Sequence, residues 1–398
     1  MLNKNNKKSI KTVFVGLSGG VDSAVSAYLL KKATPKSFAK LFNLPVPKGF
    51  GGYKVVGVYI KTWQPDFIEC TWMEDRRDAM RVAAHLEIPF ETLDLEKEYK
   101  KEVVDYMISE YKNGRTPNPD IMCNREIKFG AFLKSAMAKG ADFVATGHYA
   151  QIQEVVSDEQ RVAKKKEKQN PLATSQYRLV TALDSSKEQS YFLWTLRQEQ
   201  LEKIIFPIGG LLKSEVRKIA EKAGLANATK KDSQGICMLG DLDLKDFLAH
   251  FIGRSEGKVF NTENKEVGTH QGAIFMTIGE RHGFTITKKT PYTPRYYVIS
   301  KDIKENTVVV GTEKDLYKVG GNVLKTFKIC DTNWTNNQPV VGKKYTAQIR
   351  YHQELQKVTL NKDGDFWIVT FDKPQTGASG QSVVIYEKEV CLGGGIVA

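Results

Sequence analysis

The sequence predicts an α/β protein: an N-terminal doubly wound parallel sheet, then a small mixed α/β central domain, then a C-terminal β-barrel-like domain. Three observations predict it. Apolar strand-like runs alternate with amphipathic stretches through the first half, the rhythm of a parallel sheet with helices on both faces. Beyond about Ser300 the texture turns to β-branched runs and turns, as in an all-β module. At 398 residues the chain is longer than one ordinary core, so two or three domains are expected. Their expected bounds are 1–208, 209–299 and 300–398.

Taken in order, "KTVFVG" reads as a buried strand, "SAVSAYLLKK" as a helix, "YKVVGVYIKTW" as a strand, "EDRRDAMRVAAHL" as a helix and "FETLDL" as a strand. A charge-patterned helix over 96–112 follows, then a loop "NGRTPNPDIMCN", a helix from Lys128 to Lys139 and a strand "FVATGHYA". The middle of the chain offers two helices, "KSEVRKIAEKAG" and "DLKDFLAHFI". The last part offers "TVVVGT", "YTAQIRY", "KVTLNKDGDFWIVTF" and "SVVIYEKEVCLGG" as strands. Two stretches, about 34–52 and 157–176, read as insertions; the second holds Lys164 to Lys166 and Lys168, a charge run expected to be solvated rather than bound to RNA.

The charge balance narrows the partners. Lys+Arg number 59 against 46 Asp+Glu, a net charge of +13, which favours a polyanion such as nucleic acid. No apolar run approaches the roughly eighteen residues of a membrane span, and "MLNKNNKKSIK" lacks a signal-peptide core. A cytoplasmic protein with no membrane partner is expected. Five cysteines, Cys70, Cys123, Cys237, Cys330 and Cys391, are odd in number and widely spaced, unlike a disulfide framework. With no C-x-x-C and six scattered histidines, neither a zinc site nor an iron–sulfur cluster is expected.

The chemistry concentrates in a few motifs. "GLSGGVDS", Gly16 to Ser23, follows a strand and opens a helix; such a glycine turn aims backbone N–H groups and the positive helix end at an anion. It lacks the Lys-Ser/Thr of a P-loop and the G-x-G-x-x-G of a dinucleotide site. An ordinary turn in which Ser18, Asp22 and Ser23 cap the helix is the alternative. In "GRTPNPDIMCNREIKFG" two prolines stiffen a loop that presents Asp120 and Cys123. Arg125 and Lys128 nearby would favour a Cys123 thiolate, although a lone cysteine is commonly a small buried apolar residue. Cys237 follows Lys230 and Lys231 in "KKDSQGICMLG".

S-G-G-V-D-S resembles the pyrophosphatase loop of the adenine-nucleotide α-hydrolase-like enzymes. Further, "RTPNPDIMCNREIKFG", "ATGHYA", "SKEQSYFLW", "FPIGGLLKSEVRKIAEKAGL", "KKDSQGICMLG" and "CLGGGIVA" occur in the order found in tRNA-specific 2-thiouridylases, a resemblance covering nearly the whole chain. It implies an enzyme that uses ATP with Mg²⁺ to adenylate the C2 oxygen of the wobble uridine in a tRNA anticodon loop, then transfers persulfide sulfur to C2. The sulfur would come from a relay protein or a cysteine desulfurase.

The same resemblance implies the residue roles. Gly16, Leu17, Ser18, Gly19, Gly20, Val21, Asp22 and Ser23 would hold ATP, with Asp22 toward Mg²⁺, Ile60 at the adenine and Gly147 touching the nucleotide. Cys237 would carry the persulfide, Cys123 would act as partner nucleophile and could end in a disulfide with it, and Asp120 would be the acid–base group. Asn118, Pro119 and Asp120 would contact the target base. His148, Lys187, Glu188, Gln189, Arg350, Tyr351 and Gln381 would contact tRNA. Gln234, where Thr is usual, His352, where Arg is usual, and "GERHGFTITKK" depart from the family pattern. Another ATP-pyrophosphatase ligase, or a non-catalytic RNA-binding protein, is the alternative reading.

Overall fold

The structure is a computed structural model that describes residues 9–37, 50–67, 72–155, 176–231, 243–287, 289, 293–316 and 323–398. Its first sheet is wholly parallel, in the order β3-β2-β1-β4-β7. The strands are β1 (Ser9–Gly16), β2 (Phe50–Lys61), β3 (Phe90–Asp94), β4 (Phe143–Ala145) and, after a hairpin described below, β7 (Ile204–Ile205). Alternation along the strands sends successive side chains to opposite faces. Val13, Val15, Val55 and Tyr59 pack with helices α1 (Val21–Lys32), α2 (Trp72–His85) and α5 (Lys213–Lys222). Phe14, Val56, Val58 and Ile60 pack with the helical segments over 96–112 and 119–138. Both faces are therefore covered, which is why these strands read as unbroken apolar runs.

Helix α3 runs over 96–112 and α4 over 119–138; each has a central stretch wound with the wider i→i+5 spacing, Lys100–Asp105 and Cys123–Phe132. Here the structure corrects the sequence expectation. Asp120 and Cys123 do not lie on a loop before a helix that starts at Lys128: the helix begins at Pro119, because the Asn118 side chain accepts from the backbone N–H of Asp120 (3.0 Å) and Ile121 (3.3 Å). Proline at the first helical position loses no hydrogen bond.

A second correction concerns "FVATGHYA". Its strand stops at Ala145, and a separate strand β5 (Ala150–Val155) pairs with β6 (Gln176–Thr181) as a hairpin. That hairpin joins the C-terminal sheet through β6 and β18, with Val180 opposite Val390. The C-terminal strands β13 (Val323–Trp334), β14 (Lys344–Gln348), β15 (Gln356–Asp363), β16 (Phe366–Thr376), β17 (Ser382–Glu387) and β18 (Val390–Val397) close on themselves through a β13–β18 pairing. The barrel so formed is filled by Phe327, Ile349, Leu360, Trp367, Phe371 and Ile385 among others.

Between these units, α6 (Leu244–Ile252) precedes a sheet ordered β10-β9-β8-β12-β11. Its strands are β8 (Gly257–Asn261), β9 (Glu266–His270), β10 (Phe284–Ile286), β11 (Tyr297–Asp302) and β12 (Thr307–Gly311). Strand β11 spans residue 300, where the sequence texture changes. One apolar cluster runs through all three units, joining Phe129 and Tyr99 to Phe247, Phe275, Val384, Tyr386 and Cys391.

Candidate functional site

The glycine turn sits at the carboxyl end of β1, the edge at which open α/β sheets bind ligands. Leu17 N–H donates to Val58 O at 2.7 Å, so the turn leaves the sheet from a fixed point. Gly19 has φ +79°, and a Cβ there would lie 2.6 Å from Asp75 O. Only glycine fits both the left-handed backbone and that approach. Ser18 and Ser23 face each other, with hydroxyl oxygens 3.2 Å apart, while Ser23 Oγ donates to Gly20 O at 3.0 Å. Gly20 precedes α1 and makes no side-chain cap of its own, while Ser18 Oγ accepts from Gly20 N–H at 3.4 Å and Ser23 Oγ from Ser18 N–H at 3.2 Å, so the serines bind the turn's own backbone.

Asp22 lies in the first turn of α1 and is answered by two groups from distant parts of the chain. Lys213 Nζ is 2.8 Å from each carboxylate oxygen, and Tyr149 OH donates to Oδ1 at 2.9 Å. Lys213 is the first residue of α5, and its backbone N–H donates to Asp184 Oδ2 at 2.8 Å. Asn227 Nδ2 donates to Gly19 O at 2.9 Å, and Lys230 Nζ bridges Asp75 and Asp78 at 2.8 Å each. Lys213, Tyr149, Asn227 and Lys230 were not singled out from the sequence as site residues. Lys213 stands inside the quoted "FPIGGLLKSEVRKIAEKAGL", and that placement was the available signal.

Residues 147–149 join this turn to α4. A Cβ on Gly147 would lie 2.7 Å from Ser23 N and 2.8 Å from Asp22 C, so the two backbones touch. His148 is buried between Phe129 and Phe206, its Nδ1 2.7 Å from Thr146 Oγ1 and its Nε2 3.4 Å from Lys128 Nζ on α4. A lysine can only donate, which leaves the Nδ1 position to carry the imidazole proton. Burial first, and the Lys128 charge second, hold His148 well below its ordinary pKa. Tyr149 N–H donates to Gln189 Oε1 at 2.9 Å, and Gln189 N–H donates to Tyr149 O at 2.8 Å.

Toward the start of α4 the surroundings are apolar. Cys123 is fully buried in the large core cluster, and Arg125 is paired with Glu126 at 2.6 Å. Asp120, one turn earlier and half-buried, shares a face with it. Tyr351 packs its ring 4.3 Å from Phe192, and its hydroxyl is pushed up to about 12 by burial and then by the negative charges of Glu188 and Asp120. Glu188 is itself raised by burial, against hydrogen bonds from Ser190 and neighbouring backbone. The structure thus brings Asp120, Glu188 and Tyr351 into one electrostatic neighbourhood.

Other expected residues have different surroundings. Ile60 is a buried strand residue opposite Leu93. Asn118 spends its side chain on the helix cap, and Pro119 follows it as the first helical residue. Arg350 is turned inward: Nη2 donates to Ile278 O at 2.8 Å, and burial lowers its pKa. Gln381 holds a turn, its Oε1 accepting from Ala378 N–H at 2.8 Å. Lys187 N–H donates to Asp184 O at 3.1 Å. His352 adopts φ +61°, with its ring 3.9 Å from Tyr351. Cys237 and Gln234, like Cys70 and the Lys164 to Lys168 run, lie outside the described residues. Among the described residues no helix is long and apolar enough to cross a membrane.

A parallel sheet whose first strand opens into this serine–glycine turn, with a carboxylate at the first helical turn, defines a nucleotide domain of the pyrophosphatase-loop class. Three family profiles match in series: "tRNA methyl transferase HUP domain" over 11–44 and 48–241, "tRNA methyl transferase PRC-barrel domain" over 245–312, and "Aminomethyltransferase beta-barrel domain" over 324–397. A tRNA-specific 2-thiouridylase MnmA of Christiangramia forsetii is 39% identical over 435 residues, covering 98% of this chain and 100% of the relative. Its counterpart in Streptococcus thermophilus is 41% identical over 390 residues, covering 97% and 94%, and that of Shouchella clausii 40% over 400 residues, covering 98% and 97%. The chain belongs to the tRNA-specific 2-thiouridylase family.

Proposed function

We propose that the protein converts the wobble uridine of tRNA to 2-thiouridine in the cytoplasm, with ATP giving AMP and pyrophosphate. The observation that carries this reading beyond family membership is the junction at 147–149: Gly147 abuts the nucleotide turn, Tyr149 binds Asp22, and His148 between them meets the helix that bears Asp120 and Cys123. That junction links the nucleotide turn to the helix that carries the thiol.

In the first step the C2 oxygen of the extruded base attacks the α-phosphorus of ATP and pyrophosphate leaves; an unstacked loop base suits this better than a duplex. Mg²⁺ bound with ATP would supply charge neutralisation to the pyrophosphate. The donor set fits such an ion, since it keeps to one or two carboxylates plus substrate phosphates, and Asp22 Oδ2 has acceptor capacity beyond its contact with Lys213. In the second step the terminal sulfur of a Cys237 persulfide attacks C2 and AMP leaves. Cys123 thiolate then attacks Cys237 Sγ, the sulfur–sulfur bond breaks, and its electron pair goes to the sulfur on C2. The product is 2-thiouridine and a Cys123–Cys237 disulfide, which a dithiol reductant returns to two thiols. Asp120, one turn from Cys123, takes or gives the proton at the base. A relay protein or cysteine desulfurase reloads Cys237.

Incubating the protein with unmodified tRNA, Mg-ATP and a persulfide donor, then digesting the RNA for mass spectrometry, tests the reading. Thiolated wobble uridine is expected. It should vanish in Cys237→Ser, and in both Cys123→Ser and Cys123→Ala, with ATP binding retained. Because Cys123 is fully buried, the alanine variant guards against a folding loss caused by an unpaired hydroxyl. Product formed by either cysteine variant at the parental rate would overturn the assignment of that thiol.

A further inference from the structure

Lys213 meets the nucleotide turn through Asp22, and the roles above leave it without one. Its side chain is 14% exposed and that of Asp22 29% exposed, so the pair lies at the rim of the site, neither sealed in the core nor free in water. The ammonium meets both carboxylate oxygens at 2.8 Å and lies 5.8 Å from the Tyr149 ring centroid. Its backbone is anchored independently, through the N–H bond to Asp184 Oδ2. The Asp184 carboxylate is in turn fixed by Ser186, whose hydroxyl and N–H both donate to Oδ1, at 2.6 and 3.0 Å. A long side chain with a fixed root and a polar, partly exposed tip can change partner without moving its helix.

We propose that Lys213 is a phosphate-binding residue that exchanges partners. Without nucleotide its ammonium neutralises Asp22; with nucleotide it turns to the pyrophosphate oxygens and leaves the carboxylate to the cation that accompanies them. Charge balance requires some such arrangement. Asp22 stands in the first turn of α1, beside a turn built to receive a polyanion, and an uncompensated carboxylate there would repel it. Conversely, while Lys213 sits against both oxygens and Tyr149 donates to Oδ1, a cation is left only the remaining lone pair of Oδ2 and shares the carboxylate's charge with the ammonium. A point-charge ammonium on a flexible stem suits the exchange better than a guanidinium, whose fork would hold a carboxylate in fixed bidentate geometry. The same residue would steady the leaving pyrophosphate during adenylation, so the inference rests on the ATP reading above.

The test needs no turnover. Calorimetric titration of the full-length protein with Mg-pyrophosphate, Mg-ATP and AMP is compared for the parent, Lys213→Met and Lys213→Arg, and Mn²⁺ binding without nucleotide is followed by electron paramagnetic resonance. Lys213→Met should weaken pyrophosphate and ATP on the order of 10- to 100-fold, the worth of a hydrogen bond to a charged group, and leave AMP unchanged. It should also tighten Mn²⁺ binding, because the competitor for Asp22 is gone. Lys213→Arg should recover part of the pyrophosphate affinity. Unchanged pyrophosphate affinity in Lys213→Met, or an equal loss for AMP, would make Lys213 a strut and overturn the proposal. A parent that binds neither ATP nor pyrophosphate would remove the ATP reading and this inference with it.

Discussion

The two halves of the site are held in opposite ways. Around the nucleotide turn the fixing groups are polar and partly wet: Asp22 is met by Lys213 and Tyr149, Gly19 by Asn227, and Asp75 by Lys230. Around the thiol helix they are apolar and dry. Cys123 is sealed in the core, His148 is kept from protonation by burial, and Tyr351 and Glu188 are both raised by it. The first arrangement balances its own charges and can trade an internal cation for a ligand's. The second penalises charge: burial disfavours the charged forms of His148, Glu188 and Tyr351. A reaction that begins with a polyanion and ends with sulfur chemistry on a base has use for both.

The sharpest way to break this comparison is at Gly147, where the halves touch. A valine there would drive atoms into Ser23 N and Asp22 C, contacts of 2.7 and 2.8 Å for the Cβ alone. Both neighbours are backbone and neither can swing aside. Gly147→Val should destabilise the protein by about 1–3 kcal/mol, the usual range for overpacking, and remove ATP binding outright. Thermal unfolding and nucleotide titration together check it; a variant that binds ATP normally would show that the turn is not braced by residue 147.

A pH experiment sharpens the dry half. His148 has its folded pKa depressed by burial and by Lys128, so the stability it contributes while neutral is fully present above the unfolded value of about 6.5. It is lost as pH falls from there toward the folded value. Replacing it by glutamine removes the titration. The parent should lose stability between pH 7.5 and 5.5 more steeply than His148→Gln, by up to roughly 1.4 kcal/mol at one unit below 6.5, read from urea midpoints. Parallel profiles would mean that the imidazole takes up its proton without cost.

How much of this was legible beforehand depended on sequence distance. The alternation of Val13, Phe14 and Val15 between two apolar clusters, and the turn after Gly16, are local patterns, and both were readable. The cap at Asn118 was written in Asn-Pro-Asp, yet those residues were read as loop because a proline before a cysteine motif looks like a breaker. What stayed hidden were pairings between remote segments: Lys213 with Asp22, 191 residues apart, or β6 with β18. No periodicity specifies such a partner. Arg350, assigned to tRNA contact only through the resemblance, shows the same limit: its hydrogen bond to Ile278 O joins segments 72 residues apart, and no local pattern specifies it.

Tyr149→Phe separates the two partners of Asp22 and should have the smallest effect. The hydroxyl donates one hydrogen bond to Oδ1, while Lys213 contacts both oxygens. Removing it leaves the carboxylate paired, and at 29% exposure of the Asp22 side chain water can take the vacated acceptor site. The loss should therefore fall near the low end of what a hydrogen bond contributes, about 0.5–1 kcal/mol, seen as a shift of a few degrees in thermal unfolding, with pyrophosphate affinity little altered. If the phenylalanine variant instead matched Lys213→Met in its loss of pyrophosphate affinity, the tyrosine would be the group that orients Asp22. The nucleotide turn would then depend on geometry held from residues 147–149 more than on the balance of charge.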